Sequence, residues 1–394
     1  MNITITPNKL CGSISAISSK SQAHRLLICS AFADKKTILN CANTNEDIEA
    51  TADCLRSLGA EIIRQNQQYI VKPVTHTPET AQLYCRESGS TLRFMLPIVG
   101  ALGIDAVFHL EGRLSKRPLS PLWEEMERMG CTLSRPTDNT IRCNGKLLPG
   151  TYSIDGSVSS QFITGLLFAT TLINEPSQLQ LTGKIESLPY IKMTLAAMQQ
   201  FGVTIKNYQV PANTRFISPG IITVEGDWSN GAFFLCANAL GNCINISGLN
   251  PNSPQGDKAV ADILSNIDSH PFVDAADIPD LVPVLAVTGA TKNGITFTNI
   301  RRLRLKESDR VATICAMLEQ LGAKTEATEN QLVVHPAAYR SCTIDAAGDH
   351  RIAMSAAVAA SVAAGAVTIL GAQCVAKSYP DFWNDYSKLG GSYE

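Results

Sequence analysis

The stretch SSKSQAHRLLICSAFA (residues 18–33) sets a short polar cluster before an apolar run too long for an ordinary strand. Ser, Thr and Asp suit a helix N-cap, where a side-chain oxygen accepts from an otherwise unpaired backbone N–H. The run that follows is apolar on nearly all faces, so its helix belongs inside a core. The same arrangement returns five times, opening as SGST (88–91), VSSQ (158–161), GDWS (226–229), DIPD (277–280) and GDH (348–350). Between corresponding residues Lys20, Gly89, Ser159, Trp228, Asp280 and Asp349 the intervals are 69, 70, 69, 52 and 69 residues. A repeated period of this size marks one structural unit used several times.

Outward from each buried helix the pattern changes. Amphipathic segments follow, as in EDIEATADCLRSLG (46–59), PLWEEMERMG (121–130), YIKMTLAAMQQFG (190–202) and KESDRVATICAMLEQLG (306–322). Their final residues Gly59, Gly130, Gly202 and Gly322 read as the left-handed glycines that end helices. Short β-rich stretches lie between, such as AVFHLEG (106–112), YSIDG (152–156), GITFTNI (294–300) and AVTILG (366–371). The unit reads as β-α-β-α-β-β. Six units group naturally as three per domain in an α/β protein, with a boundary near residue 226. The first strand precedes the first polar cluster and fits either half.

Composition narrows the function classes. The 394 residues carry 33 Lys plus Arg against 35 Asp plus Glu, a net charge of −2, without the basic surplus of a general nucleic-acid binder. Hydrophobic residues make up 45%, enough for a large core. Twelve cysteines form no C-x-x-C pair or His/Cys cluster and read as buried, reduced thiols. The opening MNITITPNKLCGSISA has no apolar signal region, and the Ala-rich run at 352–370 reads as core helix rather than membrane span. The expectation is a cytoplasmic monomer that contacts no nucleic acid or membrane and uses no metal or organic cofactor.

The charges sit against expectation. A helix N-terminus is partially positive and favours anions. Here cations stand at those ends: Lys20 and Arg25, Arg93, Lys116 and Arg117, Lys306 and Arg310, Arg351, and Lys377. Read as one helix, 306–322 puts Lys306 and Arg310 at i, i+4 on a single face, where they repel. A lone basic residue near a helix start is ordinarily a solvated surface group. Recurrence at corresponding places in several units points instead to a strongly anionic ligand, or to two.

These residues also carry a resemblance. SKSQAHR (19–25), GSTLR (89–93), KRP (116–118), DGSVSSQF (155–162), SLPY (187–190), IPD (278–280), RLKESDR (304–310), DHRIAM (349–354) and AKSYPDF (376–382) run in the order found in the EPSP synthases. These enzymes belong to the enolpyruvyl transferase family and join phosphoenolpyruvate to shikimate 3-phosphate. The resemblance implies two domains, each of three β-α-β-α-β-β units, with helix N-termini facing the interdomain cleft. The implied boundaries are 1–18 with 226–394, the phosphoenolpyruvate and acid-base side, and 19–225, the shikimate 3-phosphate side.

It also implies roles. Shikimate 3-phosphate would contact Lys20, Ser21, Arg25, Ser159, Ser160, Gln161, Ser187, Tyr190, Asp280 and Lys306. Phosphoenolpyruvate would contact Lys20, Gly89, Arg117, Gln161, Arg310, Arg351 and Lys377, with Arg93 and His350 in support. Asp280 and Glu307 are the implied acid/base pair, with Lys20 assisting; a plain ion pair between Glu307 and Arg310 is the blander reading. Ser159 and Ser160 also read as plain caps, and Tyr190 as a core aromatic. The pattern departs at Glu87, Leu188 and Arg302. Rival readings are the sister transferase acting on UDP-N-acetylglucosamine, RNA 3′-phosphate cyclases built from related units, and an inactive anion-binding homologue.

Overall fold

The computed structural model describes residues 1–269 and 272–394. The six apolar runs form helices Lys20–Ala31, Gly89–Leu102, Ser160–Ile173, Trp228–Ala239, Val282–Ala290 and His350–Ala360, each buried along most of its length. Four are capped as the sequence implies: Ser88, Ser159, Asp227 and Asp349 each accept a bond from a backbone N–H of the first turn. The other two depart from it. Ser19 makes no side-chain cap bond, and Asp280 lies one residue before the cap position at Leu281. The Asp280 carboxylate turns to cations instead.

Gly59, Gly130, Gly202 and Gly322 have φ of 104°, 107°, 77° and 100° and end their helices as expected. The reading of 306–322 as one helix is corrected. Residues Arg301–Leu305 form a 3-10 turn, Lys306 is extended, and the helix spans Arg310–Leu321 with Asp309 as its cap. Lys306 and Arg310 therefore share no helix face. Both reach Asp280, whose negative charge removes the reason for them to separate.

Contacts divide the chain into two compact units, Ser18–Val224 and Met1–Ile17 with Glu225–Glu394. In the first unit strands Thr80–Arg86 and Asp105–Leu110 run parallel, joined through helix Gly89–Leu102. The hairpin Cys131–Thr137 and Thr140–Gly145 then completes the sheet antiparallel. The second unit repeats that order with Phe272–Asp274, Ile295–Thr298, Gln331–Val334 and Thr325–Ala327. Parallel strands need a long crossover, and the buried helix supplies it. This is the β-α-β-α-β-β unit.

The 52-residue interval has a structural cause. Among the described residues, strand Cys243–Ser247 pairs only with Cys11–Ser15 in a two-stranded sheet, and the following hairpin found in other repeats is missing. The ends of the chain share this unit: Ile3–Thr6 lies between Val367–Leu370 and Ser392–Tyr393. In the other unit Ile221–Thr223 returns to pair with Thr37–Asn40.

Each unit has its own apolar core. In the first, helices Gly89–Leu102 and Ser160–Ile173 touch at Gly165, where a Cβ would stand 3.0 Å from Pro97 Cγ and closer still to the Arg93 carbonyl oxygen. Any side chain there would push the helices apart. The cysteines depart in part from the sequence reading, since Cys11 and Cys243 are exposed and Cys315 and Cys342 half-buried. Among the described residues no helix is long and apolar enough to cross a membrane.

Candidate functional site

In the unit Ser18–Val224, the starts of the buried helices gather cations. Lys20 is the first residue of its helix, and its Nζ lies 2.9 Å from Asp47 Oδ2. Arg25, one turn on, is 2% exposed. It donates to Thr194 Oγ1 at 2.8 Å, the Ser21 carbonyl at 2.5 Å and the Tyr190 carbonyl at 3.0 Å, and lies over the Phe94 ring. None of these partners is a carboxylate. Burial pushes the guanidinium down to about 10, so a full positive charge remains with no counter-ion among its bonded partners. Ser187, at the start of helix Leu188–Gln200, is buried with φ 55° and ψ 40°. That left-handed conformation costs a non-glycine residue about 1–3 kcal/mol and is commonest where a site requires it.

A second cluster forms at the start of helix Gly89–Leu102. Gln161 Oε1 accepts from Arg93 Nη1 at 2.8 Å, while its Nε2 donates to Ser90 Oγ at 2.9 Å. These bonds fix which way the amide faces. Ser159 accepts from the Gln161 N–H at 3.3 Å, and Ser160 is buried beside it. Arg93 also donates to the Pro118 carbonyl at 3.1 Å. Arg117 Nε is buried without a hydrogen-bond partner. A Cβ on Gly89 would sit 2.8 Å from Arg93 Nη1 and closer still to Arg117 Nη1. Two guanidinium groups thus crowd one glycine. Like charges held this close favour an anion between or beside them.

The unit containing Glu225–Glu394 holds a charged network centred on Arg310, which is 1% exposed. Its Nε lies 2.9 Å from Asp349 Oδ2, Nη1 2.6 Å from Asp280 Oδ1 and Nη2 2.6 Å from Glu307 Oε2. Asp280 is approached further by Arg351 Nη2 at 3.5 Å and Lys306 Nζ at 3.6 Å. Burial alone would raise the Asp280 pKa. The charges of Lys306, Arg351 and Arg310 outweigh burial and hold it well below the usual carboxylate range. Burial lowers Lys306 to about 8 against the opposing pull of Asp280. Asp349 caps helix His350–Ala360 through the Arg351 N–H and also accepts from Ser308 Oγ. Arg351 donates to the Ser229 carbonyl at 3.0 Å and keeps its Nε buried and unpartnered. His350 is buried, and Lys377 Nζ donates to the Gly348 carbonyl at 3.1 Å.

Each unit thus collects its own share of the expected residues. Lys20, Ser21, Arg25, Gly89, Arg93, Arg117, Ser159, Ser160, Gln161, Ser187 and Tyr190 lie in one, and Asp280, Lys306, Glu307, Arg310, His350, Arg351 and Lys377 in the other. Sequence reasoning missed Asp47, Thr194, Asp349 as a ligand of Arg310, and Asp257. Asp257 accepts a short bond from Ser229 Oγ, and burial together with Asp280 raises its pKa to about 7. Asp349 stands in the DHRIAM stretch, where it reads only as a cap, and no local motif marks the other three.

The β-α-β-α-β-β repeat, here with cations at its helix starts, is the fold of solved enolpyruvyl transferase and EPSP synthase structures. An EPSP synthase from Acinetobacter baumannii superimposes with a TM-score of 0.81 at 21% identity, covering 100% of this chain and 99% of that one. The enolpyruvyl transferase NikO from Streptomyces tendae gives 0.75 at 18% identity, covering 100% and 98%. At the sequence level a 3-phosphoshikimate 1-carboxyvinyltransferase of Clostridium kluyveri is 35% identical over 100% of this chain and 98% of its own length. One of Clostridium perfringens is 36% identical over 99% and 98%. The family model for EPSP synthase (3-phosphoshikimate 1-carboxyvinyltransferase) matches residues 5–386, and the chain belongs to that family.

Proposed function

We propose that this chain transfers the enolpyruvyl group of phosphoenolpyruvate to the 5-hydroxyl of shikimate 3-phosphate and releases phosphate. The observation that carries the reading is the Asp280, Lys306, Glu307, Arg310 and Arg351 network. In it two carboxylates, and a lysine that burial lowers to about 8, surround guanidinium groups suited to phosphate and carboxylate. The family membership supplies the substrates.

In this reading Arg25, Ser21 and Tyr190 address the shikimate ring and its carboxylate. Ser159, Ser160 and Ser187 hold the 3-phosphate. Phosphoenolpyruvate is assigned to Gly89 and Arg117, supported by Arg93, in one unit, and to Arg310, Arg351 and Lys377, supported by His350, in the other. Gln161 and Lys20 touch both substrates. Glu307 delivers a proton to the methylene carbon while the 5-hydroxyl adds to the neighbouring carbon and gives its proton to Asp280, with Lys306 beside it. The tetrahedral adduct then loses a methyl proton and phosphate, restoring the double bond.

Without ligand, Asp280 is a weak base because three cations stabilise its charge. An anionic substrate bound to Arg310 and Arg351 draws those cations off and raises its proton affinity. Base strength would therefore arrive with the substrate. Cys85 and Cys131 are buried, which disfavours the sister activity dependent on a loop thiol. We also assign the chain as a cytoplasmic monomer that needs no metal.

The test is phosphate release from phosphoenolpyruvate with and without shikimate 3-phosphate. Release that requires both, with the vinyl ether product seen by mass spectrometry, is the expected result. Release with UDP-N-acetylglucosamine instead, or with neither acceptor, overturns the assignment.

A further inference from the structure

Cys11 and Cys243 take no part in the chemistry above, and both are exposed with free thiols. They are direct register partners in the parallel pair formed by Cys11–Ser15 and Cys243–Ser247. Register partners in a parallel pair present their side chains on the same face, and neighbouring strands lie about 4.8 Å apart. That spacing falls within the roughly 4.4–6.8 Å Cα separation that a disulfide spans. The same strands show how closely such partners approach. Four residues along, on the same face, Ser15 Oγ and Ser247 Oγ lie 3.1 Å apart. Cys11 and Cys243 stand at the equivalent register position of the same pair, so rotation about their Cα–Cβ bonds can bring the thiols toward each other.

We propose that Cys11 and Cys243 form a reversible dithiol–disulfide site on the exposed face of this two-stranded sheet. The oxidant is a small-molecule disulfide of the glutathione type. One thiolate attacks a sulfur of the oxidant and expels a thiolate, leaving a mixed disulfide. The second cysteine attacks the protein sulfur of that bond and expels the other thiolate. Two protein thiols lose two electrons and two protons, and one small disulfide becomes two thiols. A solvent-exposed bond of this kind is readily reduced again. Its effect is local and mechanical: it fastens strand Cys11–Ser15, whose only described sheet partner is Cys243–Ser247, shortly before the chain enters the other unit at Ser18. The remaining cysteines are buried or half-buried and react more slowly.

The test treats the folded full chain with oxidised glutathione, traps it with acid and maps the peptides by mass spectrometry. The expected product is a peptide pair linking Cys11 to Cys243, lost on adding dithiothreitol. In Cys11→Ser and Cys243→Ser the resolving thiol is gone, so a stable glutathione adduct should remain on the surviving cysteine. Two separate adducts on the unmodified sequence, no reaction at either cysteine, or links from them to other cysteines would each overturn the proposal.

Discussion

Replacing Asp349 with alanine tests the network at its most buried point. The Asp349 side chain is fully buried and serves three partners: Arg310 Nε at 2.9 Å, the Arg351 N–H at 2.9 Å and Ser308 Oγ at 3.0 Å. Loss of the helix cap alone costs about 1 kcal/mol. Removing one partner of a buried ion pair costs about 3–5 kcal/mol, because the other charge is left behind. Arg310 keeps Asp280 and Glu307, which favours the lower end. A total of about 3–4 kcal/mol follows, since the two losses share one side chain and do not add fully. Asp349→Asn keeps one acceptor and should lose about 1–2 kcal/mol. Urea unfolding in a Trp123→Phe background isolates the affected unit, because Trp228 and Trp383 both lie in it and Trp123 does not. If Asp349 acts through Arg310, a cycle with Arg310→Met should show coupling of about 1.5–3 kcal/mol. Losses that add to within about 0.5 kcal/mol would refute the argument that the two side chains work as a pair.

Three further outcomes are expected. Lys306, lowered to about 8 by burial, is charged below that pH and neutral above it. Turnover that needs its proton should fall as pH rises through about 8, and Lys306→Arg should move that limb upward by more than about two pH units if it retains activity; an unmoved limb in an active variant assigns it to another group. Lys377→Met should lose at least about a hundredfold in kcat/KM, the scale of one lost charged contact to a transition state, while exposed Lys36→Met stays near wild type; equal losses contradict the role given to Lys377. Gly89→Ala places a methyl against the Arg93 and Arg117 guanidinium groups, so KM for phosphoenolpyruvate should rise about tenfold or more, equivalent to about 1.4 kcal/mol, with shikimate 3-phosphate affected less. Equal rises for both substrates would place Gly89 elsewhere.

The sequence by itself determined the repeat, its six buried helices and the glycines that close the amphipathic ones. These follow from near-neighbour physics: apolar periodicity, capping side chains and positive φ act within a few residues. Cations at the helix starts were visible for the same reason. The tertiary structure alone decided what those charges do. Lys306 left the helix face that its spacing implied, and Asp280 abandoned its cap for Arg310, a residue 30 positions away in sequence. Asp349 meets Arg310 across 39 positions, and Asp257 enters because it is buried with Asp280 and Ser229 near it. Proton affinity in such a cluster depends on burial and on charges brought together from distant repeats. No local stretch of sequence contains those distances.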